Sequence, residues 1–239
     1  MKVIIDIVLL AIIALCTWGG YKKGLVGGIA GILAITVALL GGNLLSSTYS
    51  GEIIPAFEPF IDGFIDSQNT RTVILEDMGY GESDLSLEDI LGSDESLCYD
   101  YAYDCMIVVG FHDSRAEELA SRAVELHNGG EADNMTEAVV GVICSTLTYV
   151  GCYTVAFLLI LIFLVAIANI GNLSFRLPNM ENLDEIGGAA LGFLKGFLYC
   201  ILLCWVLSFL GIIIGKTTLG STTLARFFLA FRFITNGLM

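Results

Sequence analysis

The sequence predicts an all-α membrane protein with four transmembrane helices in two hairpins. An acidic extramembrane loop with amphipathic helices and a C-terminal interfacial helix complete it. Three observations predict this class. Hydrophobic residues make up 56% of the 239 residues, with a mean hydropathy of +0.79, above the roughly 45–50% apolar usage of soluble domains. Apolar residues gather in four runs, 3–18, 25–45, 138–170 and 187–215. The formal net charge of −14 is concentrated: residues 46–137 hold 21 acidic and three basic side chains, leaving four acidic and eight basic elsewhere.

The first run would rise about 24 Å as a helix, slightly short of the roughly 30 Å hydrocarbon core, and Trp18 and Tyr21 suit its interfacial end. Lys2 before an apolar stretch also fits a signal peptide, with Ile13, Ala14, Leu15 and Cys16 loosely matching a lipoprotein cleavage box. Asp6 interrupts that stretch, Leu15 is a poor residue before a cleavable cysteine, and a second apolar run follows at once. A hairpin over residues 1–45 is therefore expected, turning at Lys22 and Lys23.

Residues 46–137 form the aqueous segment. Within EIIPAFEPFIDGFID, residues 52–66, Ile54, Phe57, Phe60, Ile61, Phe64 and Ile65 fall at helical spacing while Glu58, Asp62 and Asp66 share another face. This predicts an amphipathic helix. Residues 67–100 are acidic and poor in large apolar groups, which predicts local disorder with at most a turn of helix at 87–91. Ser114 and Glu117 have the spacing of a capping box and Gly129 that of a stop, giving one more helix over 114–127.

The second hairpin occupies residues 138–215. Asn134 and Glu137 have capping-box spacing ahead of it. Its first helix would reach about 50 Å, so its early turns stand outside the bilayer or it tilts strongly, with the spanning part at 150–170. A polar loop with Arg176, Pro178, Glu181, Asp184 and Glu185 leads to the last run. In residues 216–239, Leu224, Phe227, Phe228, Phe231, Ile234 and Leu238 recur at helical spacing, with Arg226 and Arg232 off that face and Ser221 as N-cap. That pattern fits an interfacial helix.

Few residues carry chemistry. Asp6 is a carboxylate within a spanning run, which raises ion or proton handling as a role. Its place in the first turn, four residues after Lys2, equally fits a structural anchor. Lys195 lies about 12 Å into the last run, but the expected topology puts it and Asp6 near opposite membrane faces, so no pair is expected. Cys98, Cys105 and His112 repeat every seven residues; on a helix they would sit about 10 Å apart, too far to share a zinc ion. Cys98 and Cys105 could bridge in an oxidising compartment or remain two free thiols. The acidic cluster around 84–104 lacks a calcium-loop pattern. No nucleophile elbow, phosphate loop or His-Glu-x-x-His is present, so no enzyme, cofactor or metal site is expected. No basic stripe marks a nucleic-acid partner.

The glycines carry a stronger signal. GGYKKGLVGGIAG, residues 19–31, holds six glycines. Gly20, Gly24 and Gly28 are spaced by four, as are Gly188, Gly192 and Gly196 in the last run, which predicts bare helix faces for close packing. Gly-Gly-x-x-x-Gly recurs at the start of the second helix of each hairpin, the pattern of a duplicated hairpin. Gly141, Ser145, Thr148 and Cys152 form a further small-residue row.

IDIVLLAIIALCTWGGYKKGLVGGIAGIL near the start and RLPNMENLDEIGGAALGFLKGFLYCILL near the end resemble the two hallmark regions of the CvpA family, the colicin V production proteins of bacterial membranes. The resemblance covers about the first 45 and last 100 residues, and residues 67–112 depart from it. It implies a non-catalytic multi-pass protein of the bacterial plasma membrane, linked to colicin V production or envelope maintenance. Implied partners are the bilayer and unidentified membrane or envelope proteins, with a homo-oligomer as an alternative. The Lys22–Lys23 turn and Arg176 favour the cytoplasm, leaving the acidic loop and both termini outside. Two other functions stay open: a small oligomeric channel or transporter using Asp6, and a sensor whose acidic loop binds cations or cell-wall polymers.

Overall fold

A computed structural model describes residues 2–81, 87–93, 95–170, 181–209 and 222–230. The elements are all α-helices: α1 (Lys2–Ile65), α2 (Gln68–Asp77), α3 (Leu87–Ser93), α4 (Glu95–Val109), α5 (Asp113–Asn128), α6 (Met135–Ile170), α7 (Glu181–Leu207) and α8 (Thr223–Leu229). Three stretches, Val3–Ile65, Met135–Ala168 and Asn182–Leu207, are long and apolar enough to cross a membrane. The chain divides into two compact units, residues 1–48, 151–207 and 217–239 in one, and 49–150 with 208–216 in the other.

In the first unit α1 is interrupted at Gly24, whose φ of 73° and ψ of −176° lie outside any helix. Only glycine adopts that region freely; another residue there costs about 1–3 kcal/mol. Contacts with α7 change direction across this residue. Before Gly24, the neighbours of Gly188, Gly192 and Gly196 are Gly20, Cys16 and Ile13, descending; after it, Leu25, Gly28 and Gly31 meet Gly187, Leu191 and Lys195, ascending. On α6, Tyr153 stacks edge-on against Trp205 of α7, ring centroids 5.4 Å apart, and Phe157 lies against Gly42. Large apolar side chains such as Leu10, Leu33, Leu44, Leu159 and Phe163 remain exposed around these contacts, as expected of surfaces meeting lipid tails. Lipid is as apolar as leucine, so packing and polar contacts, rather than hydrophobic burial, hold such helices together.

The second unit packs around its own set of buried side chains. α4 and α5 form its centre, with α2 and α3 against α4. Cys98, Tyr101, Ala102, Cys105, Met106 and Val109 of α4 are buried, a stripe at helical spacing. On α5 the buried residues are Arg115, Ala116, Leu119, Ala120 and Ala123. Each fully buried large apolar side chain stabilises by about 1.5–3 kcal/mol. Phe111, in the turn between these helices, meets Phe209 edge-on at 6.0 Å, and the His112 N–H donates to the Ser208 carbonyl at 3.1 Å. Buried Arg115 bridges to Glu118 at 2.7 Å and lies 5.3 Å over the Phe209 ring.

Several expectations need correction. α1 does not end near residue 45: it continues to Ile65 through Pro55 and Pro59, so residues 52–66 are its last turns rather than a separate helix. Their apolar face is largely uncovered by protein, Phe60 being 77% exposed. Residues 67–100 are not one disordered stretch, because α2, α3 and α4 occupy much of it. α5 starts at Asp113 with His112 in the N-cap position and no side-chain cap, so Ser114 and Glu117 make no capping box. Glu181, Asp184 and Glu185 belong to the first turns of α7, not to a loop. Gly141 has no neighbouring atom within 4 Å of a would-be Cβ, so its row is no close-packing face there. α8 is short, with Thr222 as N-cap and Phe227 exposed. Arg176, Pro178, Lys216 and Ser221, the last run beyond 209, and Phe231, Arg232, Ile234 and Leu238 lie outside the described residues. Ahead of α6 the Asn134 half of the expected box forms, while Glu137 reaches back one residue further than a capping box does. Asn134 Oδ1 accepts the Glu137 N–H at 2.8 Å, and Glu137 accepts from the Asp133 N–H at 2.9 Å.

Both Cys98 and Cys105 are buried on one face of α4. Seven residues of helix separate them by about 10 Å, beyond the roughly 7 Å Cα limit of a disulfide. Burial pushes the Cys105 thiol up to about 12. Cys105 in the folded protein is expected to resist iodoacetamide at pH 8 and to label fully after denaturation, with no bridge to Cys98 by intact mass under oxidising conditions. Rapid native labelling of Cys105 would contradict this packing.

Candidate functional site

The site lies in the first unit, where the two glycine-rich motifs meet. Along α7, Asp184, Gly188, Gly192, Gly196 and Cys200 recur every four residues and so share one face. That face lies directly on α1. A Cβ on Gly20 would collide with the Gly188 carbonyl oxygen and stand 2.7 Å from Gly192 Cα; one on Gly188 would collide with the Gly20 carbonyl and stand 2.8 Å from Gly24 Cα. A Cβ on Gly192 would collide with the Cys16 carbonyl, and one on Gly196 would stand 2.9 Å from Ile13 Cα. Hydrogens on these glycines therefore face carbonyl oxygens of the opposing helix, contacts worth about 0.5–1 kcal/mol each. The Cys200 thiol continues the row by donating to the Leu9 carbonyl at 3.5 Å. Gly28 is covered by Leu191, whose Cβ would be 2.8 Å from an added methyl.

The row is closed by a polar clasp. Where the backbone breaks at Gly24, the next N–H groups lack the carbonyls of a preceding turn. Asp184, 2% exposed, supplies an acceptor: its Oδ1 takes the Leu25 N–H at 2.8 Å. The carboxylate sits where a Cβ on Gly24 would be, so only glycine lets it reach the backbone. Beside it the Tyr21 hydroxyl donates to Glu185 at 2.7 Å, and Lys22 Nζ lies 4.2 Å over the Trp18 ring.

Asp6 plays the same part at another helix start. Its Oδ1 accepts the Leu224 N–H at 3.3 Å, in the first turn of α8, where Thr222 makes no side-chain cap. Both carboxylates thus satisfy backbone donors of a second segment. Asp6 and Lys195 are not brought together. Lys195 points to Gly31, 3.4 Å from a would-be Cβ, and over the Tyr199 ring at 5.5 Å. It helps line a cavity of about 290 Å³ between the two parts of α1, α6 and α7. Placing a lysine charge at mid-bilayer costs about 2.5–3.5 kcal/mol on insertion scales.

In the second unit, Glu58, Asp62, Asp66, Glu88 and Glu137 line a separate cavity of about 760 Å³. Among the described residues no three acidic, histidine or cysteine side chains converge as a metal site.

Sequence reasoning singled out the six glycines but passed over Asp184, Cys16 and Tyr199. The signal for Asp184 was its position one helical turn ahead of Gly188, on the glycine face. Comparison with protein-family profiles, curated proteins and solved structures finds no match.

Gly24→Ala is expected to lower the unfolding midpoint in detergent by several degrees, through an unfavourable backbone costing about 1–3 kcal/mol and expulsion of Asp184. Gly19→Ala, where nothing lies within 4 Å, should be neutral or slightly stabilising. Equal effects of the two would refute the clasp. Asp184→Ala, which strands a buried N–H, should cost about 1–3 kcal/mol, and Asp184→Asn should recover part of it.

Proposed function

We propose that this chain is a CvpA-type integral membrane protein of the bacterial plasma membrane. It crosses the bilayer four times in two hairpins and works without catalysis, as an accessory or scaffold factor in toxin production or envelope maintenance. One observation carries the proposal: the two regions that resemble the family, about 160 residues apart, pack backbone to backbone along Gly20, Gly24, Gly188 and Gly192. A motif pair so distant in sequence and so close in space behaves as one structural module.

The reversal of contact order at Gly24 supports two crossings by α1, and the ring contact between Tyr153 and Trp205 supports α6 and α7 as the second hairpin. The Tyr21–Glu185 contact brings the start of α7 beside Lys22 and Lys23. Positive charge at that end favours the cytoplasm, which leaves both termini and the acidic segment on the outer side. A scaffold needs rigid membrane packing and an exposed surface for partners. Here the first is the glycine interface, and the second includes the uncovered Phe57, Phe60 and Phe64. A channel built on Asp6 draws no support from the site, because that carboxylate is engaged with α8 and lies outside the cavity.

In-cell photo-crosslinking from positions 57 and 60 is expected to capture discrete membrane or envelope proteins, and Gly192→Leu should reduce that capture at least fivefold at equal expression. Reconstituted vesicles should show no ion flux above empty controls. An Asp6-dependent flux, abolished by Asp6→Asn, would overturn the scaffold assignment in favour of a channel.

A further inference from the structure

The cavity between the two parts of α1, α6 and α7 combines features that the packing role leaves unused. The charged side chains among its described lining residues are Lys23 and Lys195, with no carboxylate among them. Lys195 lies about 21 Å of helical rise from Glu181 and about 18 Å from Leu207, near the middle of α7. A cation at that depth is costly unless an anion neutralises it. Three acidic side chains of this unit are committed elsewhere: Asp184 to the Leu25 N–H, Glu185 to Tyr21 and Asp6 to the Leu224 N–H. Among the described residues no carboxylate lies within ion-pair distance of Lys195 or Lys23. Lys195 is instead held over an aromatic face, Tyr199, that tolerates its charge without cancelling it.

The walls fit an amphiphile. Gly27 and Gly31, which are only half-buried, add no bulk of their own beside the two lysines, while Leu15, Ala34, Leu164 and Val165 supply an apolar wall. Leu15 is 64% exposed, which places this wall in continuity with the lipid-facing surface. Lys23 is exposed and stands near the Gly24 break, and Lys195 lies deeper, so the two ammonium groups define a path from the interface inward. Basic pockets between transmembrane helices characteristically hold anionic head groups.

We propose that this cavity binds a phosphate-bearing amphiphile, with the phosphate between Lys23 and Lys195 and the chain along the apolar wall. The inference goes beyond the scaffold role and does not depend on how many times α1 crosses the bilayer.

The test uses the full chain, purified in detergent and equilibrated with an equimolar mixture of phosphatidylglycerol and phosphatidylcholine, with retained lipid read by native mass spectrometry. Phosphatidylglycerol should be retained at least tenfold over phosphatidylcholine. Lys195→Met should remove most of that preference, Lys195→Arg should keep it, and Gly31→Leu, which fills the cavity and crowds Lys195, should lower it. Thermal unfolding of each variant separates lost binding from lost fold. Should Lys195→Met not fold, Lys23→Gln at the exposed rim carries the test and must also lower the preference. Inorganic phosphate is the second arm. If it raises the unfolding midpoint and displaces phosphatidylglycerol, the site takes a free phosphate; if only the lipid binds, the site takes a head group. No preference in the wild type together with no phosphate effect would overturn the proposal. So would retention of phosphatidylglycerol by Lys195→Met and Lys23→Gln at the wild-type level.

Discussion

A single carboxylate, Asp184, decides how the membrane-embedded part of this protein is organised. Gly24 leaves helical geometry, and a broken helix in a bilayer must find partners for its freed backbone groups, because lipid offers none. Asp184 meets the Leu25 N–H at 2.8 Å, and it can do so only because residue 24 has no side chain. The same carboxylate begins the four-residue row that runs through Gly188, Gly192 and Gly196 to Cys200. One contact therefore sets both the restart of the helix after Gly24 and the register in which α7 lies along α1.

That dependence gives two carboxylates near apolar runs a structural part. Asp6 and Asp184 each satisfy an N–H of another segment, at the starts of α8 and of the second part of α1. Lysine is treated differently. Lys22 and Lys23 remain at the exposed turn, while Lys195 enters the helix core beside glycines and an aromatic ring. The charge that stands out in the membrane unit is thus cationic, and the surrounding small residues give it room for an anion. The second unit follows other rules. There, side chains such as Tyr101, Met106, Val109, Phe111 and Leu119 are buried, while Glu58, Asp62, Asp66, Glu88 and Glu137 gather around a cavity.

Much of this was legible in the sequence, for identifiable reasons. Apolar runs report membrane helices directly, since length and hydropathy are what a bilayer selects. The spacing of Gly188, Gly192 and Gly196 picked out a true helix face, because a period of four on a helix is a surface, whereas Gly20 and Gly28 fall on different parts of α1 across the break at Gly24 and meet α7 separately. α4 was not legible. Its buried stripe is made of cysteine, tyrosine, alanine and methionine between acidic residues, so the segment read as polar although Cys98, Tyr101, Ala102, Cys105 and Met106 keep strict helical spacing. The end of α1 was missed because Pro55 and Pro59 and the polar residues 46–50 look like a stop, yet α1 runs on to Ile65. Asp184 was assigned to a loop because its partner, the Leu25 N–H, is a backbone group 159 residues away that no side-chain pattern announces.

The reversal at Gly24 is where the account is most exposed to measurement. Leu10 and Val37 are both exposed and lie about four helical turns before and after Gly24. Spin labels at these positions, measured by pulsed electron resonance in lipid nanodiscs, should be about 15–20 Å apart if the segments pack side by side at the usual 8–10 Å between helix axes. A separation near 40 Å, the rise of an unbroken helix over the same residues, would contradict it.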